Sequence, residues 1–480
     1  MLNKRRVAAV IAVAGLASLP AGLAWKAEQQ IRAEVAATNE VLSAQKVPLR
    51  VELKHYERGY LHSTGVYRLN WLDGETREVV GCVDLASDMT HTPLQFFKGF
   101  WVEARSTLIA DDAKSDCAFA QLIRNTPAGQ ALYEKFGSEG PVEILSSIAV
   151  SGRLHDQVRS QAFLLSGGQE ETAWELAVEP LDLEVATDLE GLFLEISGTW
   201  KGLRFRQGDE ALSLGGLTIR TAQRKALEAL DMGEMHLDLT DIRATSASKA
   251  FPGFVADRFT VGTLTDLRHG RLVTTTEMVA AGLEVGDVGL GDWRMRVSLE
   301  DLDPRAANAL ALQFRALNPD TGLPAEWDTA EGKAQANRSL QELLRRSVLK
   351  VDPVQVNLEG ETGELKASFR PVNVEALDLD RLQQQPMFVM GLFEGEAELV
   401  FGQAFARKFG VLPLRLKAQE AGVTPEQMSA MVVQQTLQTD SMLDNFVAQG
   451  MLTRDDSTGL YHLKLTYAKG EPRINGQPLR

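Results

Sequence analysis

The stretch VAAVIAVAGLASLPAGLAW, Val7 to Trp25, constrains the chain more than any other, because it decides on which side of a membrane the remainder folds. It carries no charge, follows Lys4, Arg5 and Arg6, and precedes Lys26. As a helix rising about 1.5 Å per residue, a run of this length just crosses a hydrocarbon core of roughly 30 Å. The basic cluster belongs in the cytoplasm by the positive-inside rule, and Trp25 stands where an interfacial aromatic would. The expectation is a cytoplasmic basic tip and transmembrane anchor over residues 1–25, with everything beyond Trp25 exported. The alternative is a cleaved secretory signal, for which Pro20, Gly22 and Ala24 supply a plausible end. Ile31, Val35 and Leu42 favour the anchor: they fall on one side of a helix in a polar, Ala-rich background, so residues 26–45 read as a helical stalk. On either reading residues 46–480 fold outside the cytoplasm.

A formal net charge of -15 works against nucleic acid or anionic lipid headgroups as partners of a general positive field. Beyond the N terminus, adjacent basic residues come as short pairs, such as Arg224 with Lys225, Arg345 with Arg346 and Arg407 with Lys408, which read as solvated surface. With 44% hydrophobic residues the exported part can bury one extended core or two smaller ones. Of the two cysteines, Cys82 and Cys117, an oxidising compartment favours a disulfide. Two unlinked buried thiols are the alternative, and a zinc site lacks its other ligands.

The first strands lie at Val51 to Tyr56 and from Leu61 onward, joined at Glu57, Arg58 and Gly59. In the second, Leu61, Ser63, Gly65, Tyr67, Leu69 and Trp71 share a face, the mark of a β-hairpin with one side on a core. His55 and His62 flank that turn with no third ligand near in sequence. Next, THTPLQFFKGFW begins with a Pro-bounded loop and packs Phe96, Phe97, Phe100 and Trp101 close together. So many large aromatics demand a core, or else form a hydrophobic surface that binds a partner. Pro127 to Phe136 reads as a short helix.

From Val142 to Glu300 alternating segments recur between Gly-rich turns; Trp293, Met295, Val297 and Leu299 against Arg294, Arg296, Ser298 and Glu300 is the clearest. No regular series of helices separates them, so the sheet is expected to be antiparallel. Helices are expected from Asp303-Pro304, with Leu310, Phe314 and Leu317 as a stripe, over Ala334 to Leu349, and from Thr424, where Thr424 to Gln427 forms a capping box, through Leu443. Strands resume at Val354 to Leu358, Leu365 to Phe369 and Ala397 to Phe401, and the chain closes on Tyr461 to Tyr467. The fold class is therefore α+β, mainly β: an extended antiparallel sheet with a few packing helices, behind one N-terminal transmembrane helix. A subdivision of the exported part is conceivable near Asp301.

The order of HYERGYLHS, THTPLQFF, LGDWRMRVSLEDLD before an Ala-rich helix, and LKLTYAKGEPRINGQPL resembles the YdgA-like family of Gram-negative envelope proteins across nearly the whole chain. The resemblance implies one N-terminal membrane segment in the inner membrane and a large periplasmic domain of unknown function, with no catalytic residue, metal or cofactor to carry over. GxSxG, HExxH, Walker and GxGxxG patterns are all missing, and Gly286 to Trp293 has glycines at the wrong spacing. Three functions are consistent with these residues. One is a non-catalytic domain holding a hydrophobic ligand such as lipid on uncovered strand faces. The second is a tethered scaffold for another envelope protein, using the aromatic cluster or the helices near Leu310 and Leu443. The third is an envelope hydrolase with a carboxylate pair assembled from distant strands.

Overall fold

The computed structural model describes residues 4–44, 47–74, 76–111, 113–168, 173–188, 191–246, 253–286, 288–314, 323–385, 391–421 and 423–479, with the side chains of residues 4–21, 41, 44, 122, 325, 328, 383–384, 419–421 and 425 outside the description. The chain divides into two units, 1–208 and 209–480. Asp301 lies inside a strand of the second unit.

Unit 1 opens with helix α1 (Lys4–Ala44) and continues with strands β1 (Leu49–Glu57), β2 (His62–Leu72) and β3 (Val79–Thr90), helix α2 (Pro93–Phe97) and strand β4 (Phe100–Leu108). Helices α3 (Ala118–Asn125) and α4 (Pro127–Phe136) precede β5 (Val142–Ala149) and β6 (Arg153–Ser160). The remaining strands are β7 (Phe163–Gly167), β8 (Trp174–Val178), β9 (Leu181–Asp188), β10 (Phe193–Trp200) and β11 (Leu203–Gln207). All pairings are antiparallel: β1 to β6 run as a meander, β9 pairs with β6 and β10, and β8 pairs with β7 and β11. The expected hairpin is present, with Leu53 opposite Tyr67 and Tyr56 opposite Gly65.

One face of this sheet is the core. Met89, Val102, Ile148 and Leu154 are buried on it beneath Ala27 and Ile31 of α1. The stretch expected to stand off as a stalk therefore lies on the sheet, because its apolar stripe has a matching surface within reach. Asn39 completes the docking: its side-chain amide donates to the Val51 carbonyl at 2.7 Å and accepts from the Val51 N–H at 2.8 Å, pairing polar groups of β1. Cys82 of β3 is joined to Cys117, just before α3, by a disulfide. Beside it Arg68 makes a bidentate pair with buried Asp84 and a second contact to Asp116, while the Ser115 hydroxyl donates to Asp84. Burial alone would raise the Asp84 carboxyl; the hydrogen bonds from Arg68 and Ser115 and the charges of Arg68 and Lys54 outweigh it and hold it below the usual range.

Unit 2 contains β12 (Glu210–Leu214), β13 (Gly216–Leu227), β14 (Leu230–Thr245), β15 (Phe254–Arg268), β16 (Arg271–Val285) and β17 (Val288–Leu302), then helices α5 (Pro304–Gln313) and α6 (Ala330–Leu344). Strands β18 (Val348–Leu358) and β19 (Glu361–Pro371), helix α7 (Leu379–Gln384) and β20 (Phe393–Phe401) follow. The hairpin of α8 (Gln403–Ala421) and α9 (Pro425–Ala448) leads to β21 (Thr453–Arg454), β22 (Tyr461–Ala468), β23 (Glu471–Ile474) and β24 (Gln477–Pro478). Strands β13 to β20 pair in order, antiparallel throughout, and β22 adds to β20. Asp303 caps α5 by accepting from Arg305 and Ala306, and Thr424 and Gln427 form the capping box of α9. The second helix ends at Leu344, not Leu349, since Val348 and Leu349 already pair with Glu300 and Leu299 of β17.

Among the described residues no helix is long and apolar enough to cross a membrane. The run expected to do so, Val7 to Trp25, has most of its side chains outside those described.

Candidate functional site

Alternation gives the unit 2 sheet two unlike faces. On one, opposite charges meet across strands: Arg258 with Asp238, Arg294 with Glu277, Lys350 with Glu300 and Lys464 with Glu396, while Lys366 pairs with Glu364 along β19. On the other, one row of cross-strand partners reads Ile219, Leu237, Val261, Met278, Met295, Val354, Leu365, Leu399 and Leu463, an apolar residue from each strand in turn. The next row reads Leu217, Leu239, Phe259, Ala280, Trp293, Val356, Gly363, Phe401 and Tyr461. A one-residue slip would turn the apolar set of a strand to the other face and bring polar or charged residues into these rows, so the pattern itself holds the register.

The α8–α9 hairpin roofs this face at one end. Phe405, Leu443 and Leu452 bury Val356, Phe401 and Tyr461, and α8 packs on β17 to β19. Gly363 marks the close approach, since a Cβ there would overlap the Phe405 ring. Arg407 fastens α8 to α9 by a bidentate pair with Asp440. Further along, the cover ends. Every member of the Ile219-to-Leu463 row is only half-buried, and over β13 to β15 Ala256 is the sole buried hydrophobic among the described residues. Farther from the roof the face becomes hydroxyl-bearing, with Thr263 bonded to Thr276 and Thr265 to Thr274. The result is an apolar strip with a hydroxyl margin, suited to an extended amphiphile more than to a compact polar substrate.

Unit 1 holds the polar groups of most chemical interest. Asp156 lies on the core face of β6 opposite Ser146, in line with Leu154 and Val158, and its charge acts on Glu34 of α1. Burial, with the Asp156 charge added, lifts Glu34 to about 7; burial likewise raises Asp156, against a hydrogen bond from Ser146 and the charge of His155. Tyr67 is raised by burial and by Glu34, Tyr56 and Asp156. Ser63 and His91 form a buried pair, Oγ to Nε2 2.8 Å, at 2% and 0% exposure. Sealed from solvent, that pair braces the turn after β1 against the start of α2 and offers nothing to a substrate.

Of the aromatics singled out in the sequence, Phe96 lies 5.3 Å from Trp101 ring to ring, and Trp101 joins the core under α1; Phe100 is half-buried; Phe97 is 75% exposed. His62 contacts Thr90, His55 lies opposite Val66, and no three metal-ligating side chains converge among the described residues. Lys4, Arg5 and Arg6 lie at the start of α1 with their side chains outside the description, and Trp25 is 52% exposed. Leu310 and Leu443, which mark the helices considered for a scaffold, are themselves buried. The carboxylate approach of Glu34 to Asp156 escaped sequence reasoning, although the inward position of Asp156 between Leu154 and Val158 signalled it.

Neither the curated proteins nor the solved structures contain a match to this chain. A single family model spans residues 2–480, and by that match the chain belongs to the family described as bacterial protein of unknown function (DUF945).

Proposed function

We propose that this protein is a non-catalytic lipid-binding component of the bacterial cell envelope, tethered to the inner membrane by Val7 to Trp25, with both units in the periplasm. The YdgA-like resemblance and the basic N terminus support that placement. One observation carries the binding role: the cross-strand row from Ile219 to Leu463 is apolar in every member, yet none of them is fully buried, including those on β13 to β15 beyond the α8–α9 roof. Leaving such a strip in water costs about 25 cal/mol per Å² relative to covering it, and an acyl chain laid across the strands would recover that free energy. The hydroxyls of Thr263, Thr265, Thr274 and Thr276 would meet the polar end of such a ligand.

The test is site-specific photo-crosslinking of the full chain in bacterial membranes. A photoreactive residue at Val261 or Met278 is expected to yield lipid adducts, while the neighbouring positions Thr260 and Glu277, on the charged face, yield none. Equal labelling of both faces, or protein adducts alone at Val261, would overturn the lipid reading. The second outcome would favour a scaffold, for which the exposed Val433 and Leu437 of α9 supply a surface.

A further inference from the structure

We propose that α2 is a second membrane contact, with Leu94 and Phe97 resting in the headgroup region of the bilayer that α1 enters. The inference rests on the anchored reading above and adds a surface to it. Helix α1 is unbroken from Lys4 to Ala44, so its apolar run and the part packed on the sheet form one continuous element. Helix α2 packs against α1, and its rings are linked to the α1 seat: Phe97 lies 6.1 Å from Phe96, Phe96 5.3 Å from Trp101, and Trp101 packs with Ala27 and Ile31. Trp25, two residues before Ala27, is exposed.

Helix α2 buries none of its own residues, yet it is held firmly in shape by the Thr92 cap and Pro93 at its first turn. It presents Leu94 at 62% and Phe97 at 75% exposure. From His91 to Val102 there is no Asp or Glu, and Lys98 is the sole full charge, in a chain that is acidic as a whole. An apolar pair with a flanking lysine, beside a tryptophan at the end of an apolar helix, has the composition of an interfacial segment. A protein partner would need no such local absence of acid, whereas an anionic headgroup layer does.

The experiment places an environment-sensitive fluorophore on a single introduced cysteine at Ala14, Leu94, Phe97 or Leu164 of the full chain in lipid nanodiscs; the native cysteines are already joined to each other. Lipids spin-labelled near the headgroup serve as quenchers. Leu164 is an exposed apolar control in β7. The expected result is a blue shift and loss of emission at Leu94 and Phe97, with Leu164 unquenched. Solvent-like, unquenched emission at Leu94 and Phe97 overturns the inference. If a label at Ala14 is still blue-shifted in that case, the anchor stands and the α2 contact alone fails; if Ala14 is solvent-like too, the anchored reading falls with it.

Discussion

At the residue scale, Glu34 and Asp156 stand out because a core face has no need of carboxylates. Each is partly withdrawn from water, and the Asp156 charge adds to the cost of charging Glu34. Glu34 titrates near 4.5 in an unfolded chain and at about 7 in place. Between those values Glu34 holds more of its proton in the folded protein than in the unfolded one, so its contribution to stability is full below about pH 4.5 and is lost as pH rises toward 7. Glu34→Gln is expected to remove that slope and to stabilise unit 1 at pH 8 by up to about 3 kcal/mol, read from denaturant melts at several pH values. An unchanged pH slope in the variant would show that Glu34 does not hold the proton. Ser63→Ala acts in the opposite direction: it strips buried His91 of its Nε2 partner, and a loss of about 1 to 3 kcal/mol is expected at neutral pH. Ser63→Thr, which keeps the hydroxyl, separates the lost bond from a general packing defect.

At the element scale, the α8–α9 hairpin is held on the sheet by Phe405 over Gly363 and by the Arg407–Asp440 pair. Gly363→Val forces Phe405 off its seat and should cost about 1 to 3 kcal/mol. Hydrogen exchange should show the loss as faster opening of α8 and β19, with β13 to β15 unaffected. The strands under that hairpin were legible in the sequence because alternation from Trp293 to Leu299, and again from Leu365 to Phe369, is strict and each strand has a single apolar side. The caps at Asp303 and Thr424 were legible for the same reason, a local pattern with a local cause. Helix α8 was not, since Pro413 lies inside it and interrupts the pattern that would announce it. Helix α2 was hidden differently: its five residues are too few to show a period, and Thr92-Pro93 reads equally well as loop. The lateral order of strands, and with it the continuous row from Ile219 to Leu463, depends on which hairpins pair. Composition and periodicity do not carry that information.

At the scale of the whole molecule, the two units have separate cores: one around Met89 and Val102 under α1, the other around Phe401 and Tyr461 under α8 and α9. The disulfide belongs entirely to the first. It ties β3 to the segment leading into α3 across 35 residues, and closing a loop of that length stabilises a fold by about 3 to 4 kcal/mol in the chain-entropy account. The Arg68–Asp84 pair and the Ser115 bond hold the same segment to the sheet, so losing the bridge loosens that corner without freeing it altogether. A Cys82→Ser, Cys117→Ser double variant is therefore expected to lower the melting of unit 1 and leave unit 2 where it was. Calorimetry would then separate two transitions, and hydrogen exchange would assign the earlier one to β2, β3 and α3. Were both units to shift together, the cores would be one cooperative structure, and the independence argued from their contacts would be wrong.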